Sequence, residues 1–320
     1  MTMKPRSIVL TMLICASIFV LIGIPIQANP SNETLTLHDI DVAGTKQSYY
    51  LYLPSNPKGA VLIIPSYIAN HEELLDGNKW GEPDQSMENS PIVKAAREHQ
   101  LALVFAQGAN NDWYSPYNGE KKVLACLNDA NITLKLSSDS WFIYGFSMGG
   151  AGALTISISH PKLFSGLYIG DGVMNFTNQF IIDSVTDLSG WTTPSEFFLD
   201  ANPYRNIEVF RDKTVFLASG TNAGNLLSCD NFSQTLDLAN IRHYYYREND
   251  SHNVYLLFNS VNQTFDLFSH HLAGTLDQFY EGYTSPLKTK STIPWGVNPI
   301  ITAVIFLAIG WIAKKRRNRC

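Results

Sequence analysis

Apolar and polar positions along the chain fall into short β-rich runs that alternate with helical ones. Leu35 to Val42 and Ser48 to Leu53 read as two strands joined by a turn at Gly44, an antiparallel hairpin suited to a sheet edge. Ala60 to Ile64 is apolar throughout, the pattern of a strand buried on both faces. Pro91 to His99 reads as a helix, Leu101 to Ala106 as a fourth strand and Glu120 to Leu136 as a second helix. A fifth strand begins at Trp141, and small or apolar residues from Gly149 to Ser159 predict a helix directly behind it. Phe164 to Gly170, Thr214 to Ser219 and Ile241 to Arg247 complete eight strands, and a last helix runs from Val254 to Leu272. Strands alternating with helices after an opening hairpin imply an α/β fold, a mostly parallel eight-stranded sheet with helices on both faces.

The two ends depart from this pattern. Lys4 and Arg6 precede an apolar stretch from Ile8 to Ile24, and Ile26-Gln27-Ala28 offers a cleavage site, so residues 1–28 are expected to be a secretory signal, with an uncleaved anchor as the alternative. Trp295 to Ala313 is apolar and is followed by Lys314, Lys315, Arg316, Arg317 and Arg319. Its length at about 1.5 Å per residue suits a bilayer of about 30 Å, and the basic tail would lie on the cytoplasmic side. The expected organisation is a signal over 1–28, an α/β domain over 29–290, one transmembrane helix over 291–313 and a basic tail over 314–320. The expected location is the cell surface or another extracytoplasmic face.

Composition adds little beyond exclusions. The formal net charge is −5 and includes the basic tail, so the exported part is more acidic still and carries no nucleic-acid footprint. Cys126 and Cys229 lie in that part, where an oxidising compartment would permit a disulfide. Six N-x-S/T sequons, at Asn32, Asn131, Asn175, Asn231, Asn249 and Asn262, are candidate glycosylation sites.

The candidate chemistry sits at Gly145-Phe146-Ser147-Met148-Gly149, placed between the fifth strand and its helix. A serine on so tight a strand-to-helix turn takes a strained backbone, and glycines beside it let strand and helix approach. The turn exposes Ser147 and aims the Met148 amide and the helix start at the same spot, where an oxyanion would be stabilised. Pro65-Ser66-Tyr67 leaves a central strand, and in a serine hydrolase its Ser66 or Tyr67 amide would supply the second oxyanion donor. Trp113 and Tyr114 leave the fourth strand and are candidates to line a substrate pocket; half-buried surface aromatics are the alternative. No histidine pair has metal-binding spacing, and no metal or organic cofactor is implied.

From about Pro54 to Leu272 the chain resembles the α/β-hydrolase superfamily, in particular its esterase branch of feruloyl esterases, polyhydroxybutyrate depolymerases and S-formylglutathione hydrolase. The residues that carry the resemblance are Ala95 to His99, Asn111-Asp112-Trp113-Tyr114, and Gly145 to Ala153 with Ser159-His160-Pro161-Lys162-Leu163-Phe164. It implies a serine carboxylesterase whose triad runs Ser, acid, His, acting on a small-molecule or polymer-borne ester. His252, just after the last strand, stands where the family carries its histidine. The acid departs from the family: after the seventh strand, Ala223 occupies the expected position beside Asn222. Asp171, directly after the sixth strand, is the first candidate, since pancreatic-type lipases carry their acid there, and Asp230 is the second, with a helix N-cap as its simpler reading. A catalytically inactive fold that binds a ligand or partner is the alternative function, acyl transfer to an acceptor other than water uses the same residues, and the long connection from Asp171 to Phe210 is a candidate lid.

Overall fold

The computed structural model describes residues 33–282 apart from 68, 70–89, 108–111, 116–117, 175, 177–182 and 184–192. The expected signal, the apolar run over 291–313, the basic tail, His71 and the sequons at Asn32 and Asn175 therefore lie outside the described residues. No helix among the described residues is long and apolar enough to cross a membrane.

Eight strands form one sheet: β1 (Thr34–Val42), β2 (Thr45–Leu53), β3 (Gly59–Ile64), β4 (Leu101–Ala106), β5 (Trp141–Phe146), β6 (Gly166–Gly170), β7 (Thr214–Gly220) and β8 (His243–Glu248), in the order β1-β2-β4-β3-β5-β6-β7-β8. β1 and β2 form the edge hairpin, turning at Ala43 and Gly44, both at positive φ, and β2 pairs antiparallel with β4. Every other pairing is parallel. All strand C-terminal ends from β3 to β8 therefore share one edge of the sheet, where an α/β fold places its site.

The helices are α1 (Pro91–His99), α2 (Gly119–Leu134), α3 (Met148–Ser159), α4 (Pro194–Asp200), α5 (Leu226–Leu238), α6 (Tyr255–Leu272) and α7 (Leu276–Gly282). Side-chain alternation along β3 divides the core: Ala60, Leu62 and Ile64 pack with residues of α2, α3, α4 and α5, while Val61 and Ile63 pack with α1, α6 and α7. Burial of each large aliphatic or aromatic side chain in these layers contributes about 1.5–3 kcal/mol, and this is why β3 to β7 are apolar at every position but their ends. α3 is buried from Met148 to Ser157, in keeping with a helix apolar all round and sandwiched beside the sheet.

The strand and helix boundaries differ from the sequence expectation by at most three residues, the largest shift being the start of β2 at Thr45 rather than Ser48. α7 was not foreseen; its Phe279 is buried against Tyr244. The Asp171 to Phe210 connection does not stand clear of the domain in its described parts, since Phe176, Phe197, Phe198 and Phe210 are all buried in the core. Cys126 on α2 and Cys229 on α5 are free buried thiols, not a disulfide. Burial pushes the Cys126 thiol up to about 12, so it stays protonated and unreactive.

Candidate active site

The elbow is built by two glycines. A Cβ on Gly145 would come 2.1 Å from the Gly149 carbonyl oxygen, and one on Gly149 would come 2.5 Å from that of Ile64. With no side chain at either position, α3 starts hard against the ends of β5 and β3. Ser147 holds φ 57° and ψ −119°, a conformation that costs a non-glycine residue of order 1–3 kcal/mol and that the surroundings must enforce. Its amide donates to the Gly170 carbonyl at 2.8 Å, which pins the elbow to the end of β6. The Ser147 hydroxyl makes no cap to α3 and lies instead 2.9 Å from His252 Nε2.

His252 sits between β8 and α6. Its imidazole stacks on the Phe146 ring at 4.9 Å between centroids, and its side chain is 37% exposed. Asp250 shapes the loop by accepting from the Ser251 amide and from Asn253 Nδ2, both at 2.6 Å. Behind the imidazole, Nδ1 lies 3.4 Å from Asp171 Oδ2. Asp171 is fully buried at φ 42°, just beyond β6. Its Oδ1 accepts from Ser219 Oγ at 2.6 Å and from the Gly220 amide at 3.2 Å. Its Oδ2 has no hydrogen-bond partner among the described residues, which leaves it turned to the histidine. With Nδ1 protonated towards this carboxylate, Nε2 carries the lone pair that a serine proton needs.

The opposite wall comes from the exits of β3 and β4. A Cβ on Gly149 would also lie 2.9 Å from the Pro65 carbonyl oxygen, so the chain entering Ser66 and Tyr67 runs against the first turn of α3. The first amides of a helix, Met148 among them, have no acceptor within the helix, and the helix dipole adds partial positive charge there.

Trp113 and Tyr114 are corrected from pocket lining to core. Tyr114 is fully buried, its hydroxyl donates to the Pro65 carbonyl at 2.5 Å, and its ring occupies the space beside Gly152 that a Cβ would enter at 2.3 Å. Trp113 is 6% exposed and belongs to the same core. Both residues hold positive φ, and buried Asp112 fixes the turn by accepting from the Tyr114 and Gly119 amides and the Ser115 hydroxyl. The aromatics point inward because this turn folds back beneath the β3 exit. Burial pushes the Asp112 carboxyl up to about 6 against the pull of those donors.

Asp230 is likewise corrected. It lies inside α5 rather than at its N-cap, and its Oδ1 accepts from Tyr245 at 2.8 Å and pairs with Arg247. Those two side chains, not a histidine, are its partners. Ala223 is buried in the turn after β7, whose Thr221 and Asn222 amides donate to the Glu248 and Asp250 carbonyls of the histidine loop. The other described histidines have partners elsewhere: His38 with Thr36, His99 with Asn262, His160 with Glu120, His243 with Ser233, His270 with Thr275 and His271 with Thr214. Sequence reasoning missed Ser219, Gly220, Asn225 and Phe146. The parallel register that sets Gly170 beside Ala218 is the signal that would have found the first two. No group of His, Cys, Asp and Glu among the described residues is arranged to hold a metal ion.

Comparison with known proteins fits this geometry. The family described as "Putative esterase" matches residues 79–279, more than half of the chain. The chain belongs to this esterase family. It thereby falls in the esterase branch of the α/β-hydrolases. Among the relatives of this chain, Esterase Rv1288 of Mycobacterium tuberculosis is 27% identical over 169 residues, covering 45% of this chain and 37% of the relative. Putative esterase NocK of Nocardia uniformis subsp. tsuyamanensis is 25% identical over 158 residues, covering 45% of this chain and 43% of the relative. The chain thus spans less than half the length of these relatives. The crystal structure of S-formylglutathione hydrolase (FrmB) from Staphylococcus aureus superposes on 75% of this chain and 98% of its own, with a TM-score of 0.58 and 15% identity, a likeness of fold.

Proposed function

We propose that the protein hydrolyses carboxylic esters through an acyl intermediate on Ser147, with His252 as general base and then general acid and Asp171 as the acid that orients it. The observation that carries this reading is the 2.9 Å approach of Ser147 Oγ to His252 Nε2 on the strained elbow between β5 and α3. His252 takes the Ser147 proton as the hydroxyl attacks the ester carbonyl, and the Met148 amide with the amide of Ser66 or Tyr67 donates hydrogen bonds to the oxygen on which negative charge develops. The imidazolium then gives its proton to the departing alcohol. Water attacks the acyl-serine by the same route in reverse, releasing the carboxylic acid. Asp171, buried beside Nδ1, holds the tautomer and stabilises the imidazolium. No metal or organic cofactor enters these steps.

The substrate is a small-molecule or polymer-borne ester. The apolar stretches at residues 8–24 and 295–313 support a protein exported by a cleaved signal and held by one C-terminal span, with the catalytic domain on the extracytoplasmic side. Tagging the C-terminus and testing its protection from added protease in sealed vesicles checks that topology; a tag cleaved together with the domain would overturn it.

The test of the activity is fluorophosphonate labelling of the full-length protein beside Ser147→Ala. Labelling of wild type and none of the variant is the expected result. A folded wild-type protein that takes no label and leaves p-nitrophenyl esters intact is instead a fold retained for binding.

A further inference from the structure

We infer that the C-terminal end of β7 with the turn that follows it, and Ser219 above all, is a positioning device that turns the Asp171 carboxylate towards His252; this rests on the proposed triad. Asp171 is not held by its own strand. Four polar contacts bind it to the end of β7 and the turn beyond: its amide donates to the Ala218 carbonyl at 2.8 Å, its carbonyl accepts from Asn225 Nδ2 at 2.8 Å, and its Oδ1 accepts from Ser219 Oγ and from the Gly220 amide. With Oδ1 saturated by two donors of fixed direction, rotation about the carboxylate bond is stopped and Oδ2 remains facing Nδ1. The geometry also explains how a non-glycine residue stays at φ 42°, since backbone and side chain are clamped from both sides.

The same turn grips the histidine loop. Thr221 and Asn222 amides donate to the Glu248 and Asp250 carbonyls, and a Cβ on Gly220 would meet the Asp250 and Ser251 carbonyl oxygens at 2.5 and 2.8 Å. One continuous segment, the end of β7 and its turn, therefore sets the position of both the acid and the base. Ser219 is fully buried, and its hydroxyl also lies 3.4 Å from the Gly220 carbonyl, so no solvent group replaces it when it is removed.

The experiment is a double-mutant cycle on ester hydrolysis by the full-length protein with wild type, Ser219→Ala, Asp171→Asn and the double variant. Ser219→Ala alone is expected to lower kcat by about tenfold or more with KM within about twofold, because a misaligned acid costs turnover and leaves ground-state binding alone. In the Asp171→Asn background the same substitution is expected to change kcat by less than about twofold, since Ser219 acts through the carboxylate. Thermal melting of each variant reports folding. An equal loss in both backgrounds assigns Ser219 a general structural role and overturns the inference. Ser219→Ala without effect beside a disabled Asp171→Asn overturns the inference and leaves the triad standing, whereas Asp171→Asn without effect removes the triad reading first.

Discussion

Asp171 and Asp112 are both buried aspartates at the exit of a parallel strand, one after β6 and one after β4, yet they are wired for opposite purposes. Asp112 commits both oxygens to its own turn: Oδ1 to the Tyr114 amide, Oδ2 to the Ser115 hydroxyl and the Gly119 amide. Asp171 commits one oxygen to the next strand and leaves the other to a histidine. A carboxylate with both oxygens engaged by donors of its own turn is a structural pin. One that keeps an oxygen uncommitted in a buried place is free to steady a charge that appears only during reaction. The pair also shows that burial and strand position alone do not identify a functional acid, because the two residues share both.

The sharpest way to test that contrast is Asp171→Asn, which keeps an oxygen for Ser219 and Gly220 and presents an amide to His252. Losing the acid of such a triad costs about 10⁴-fold in turnover, so kcat for a p-nitrophenyl ester should fall on that order while the melting temperature stays within a few degrees. A variant that keeps wild-type turnover would make Asp171 a second structural pin and dissolve the comparison.

Asp112→Ala should do the reverse. It leaves two buried amides and a buried hydroxyl without their acceptor, at about 1–3 kcal/mol for each unsatisfied group less what water recovers. Urea unfolding should register a loss of about 3 kcal/mol, with kcat per folded molecule within about tenfold of wild type. A variant as stable as wild type would mean that the turn does not depend on this carboxylate.

Acid–base linkage offers a gentler version of the same test. Burial raises the Asp112 carboxyl from 3.8 to about 6, so between those values the folded protein holds a proton that the unfolded chain has released. Its contribution to stability is fully present below about pH 3.8 and is lost as pH rises through about 6, a change of about 3 kcal/mol at most. The difference in unfolding free energy between wild type and Asp112→Ala, followed from pH 4 to pH 7, should shrink as pH rises. A difference that is flat across this window would show that Asp112 does not titrate there.

Much of this arrangement is legible in the sequence because it follows from local pattern. Strand and helix periods place β1 to β8 within three residues, and the glycines flanking Ser147 announce a turn that only they permit. The turn after β7 is recognisable through the family resemblance instead, which sets Ala223 where relatives carry their acid and so directs attention to Asp171. What sequence does not reveal is direction. Tyr114 reads as a loop aromatic, and nothing in its neighbours says that two consecutive left-handed residues fold it inward beneath Pro65. Asp230 reads as a helix cap because its partners, Tyr245 and Arg247, are distant in the chain. Ser219 carries no motif at all; it matters because the sheet sets its strand beside that of Asp171.

The β4 side should still bear on chemistry at second hand. Tyr114→Phe keeps the buried ring and removes only the hydroxyl that holds the Pro65 carbonyl, directly before Ser66 and Tyr67. Loosening that loop against α3 should lower kcat by about tenfold with KM little changed, since a misplaced donor weakens charge stabilisation in the transition state. Equal values of kcat in the two proteins would show that the β3 exit is set by Gly149 and its neighbours without help from the tyrosine.

The smallest effect belongs to Asp230→Asn. Asp230 is 18% exposed at its side chain and pairs with Arg247, itself 23% exposed, an interaction of the partly solvated kind that is worth about 0–1 kcal/mol. Asparagine keeps an oxygen for the Tyr245 hydroxyl and the Arg247 guanidinium, so packing around α5 should persist. Turnover should therefore stay within about threefold of wild type. Should Asp230→Asn instead match Asp171→Asn in its loss of turnover, the acid would have to be reassigned to the residue with the cationic partner, and an open oxygen beside a histidine would no longer mark the catalytic carboxylate in this fold.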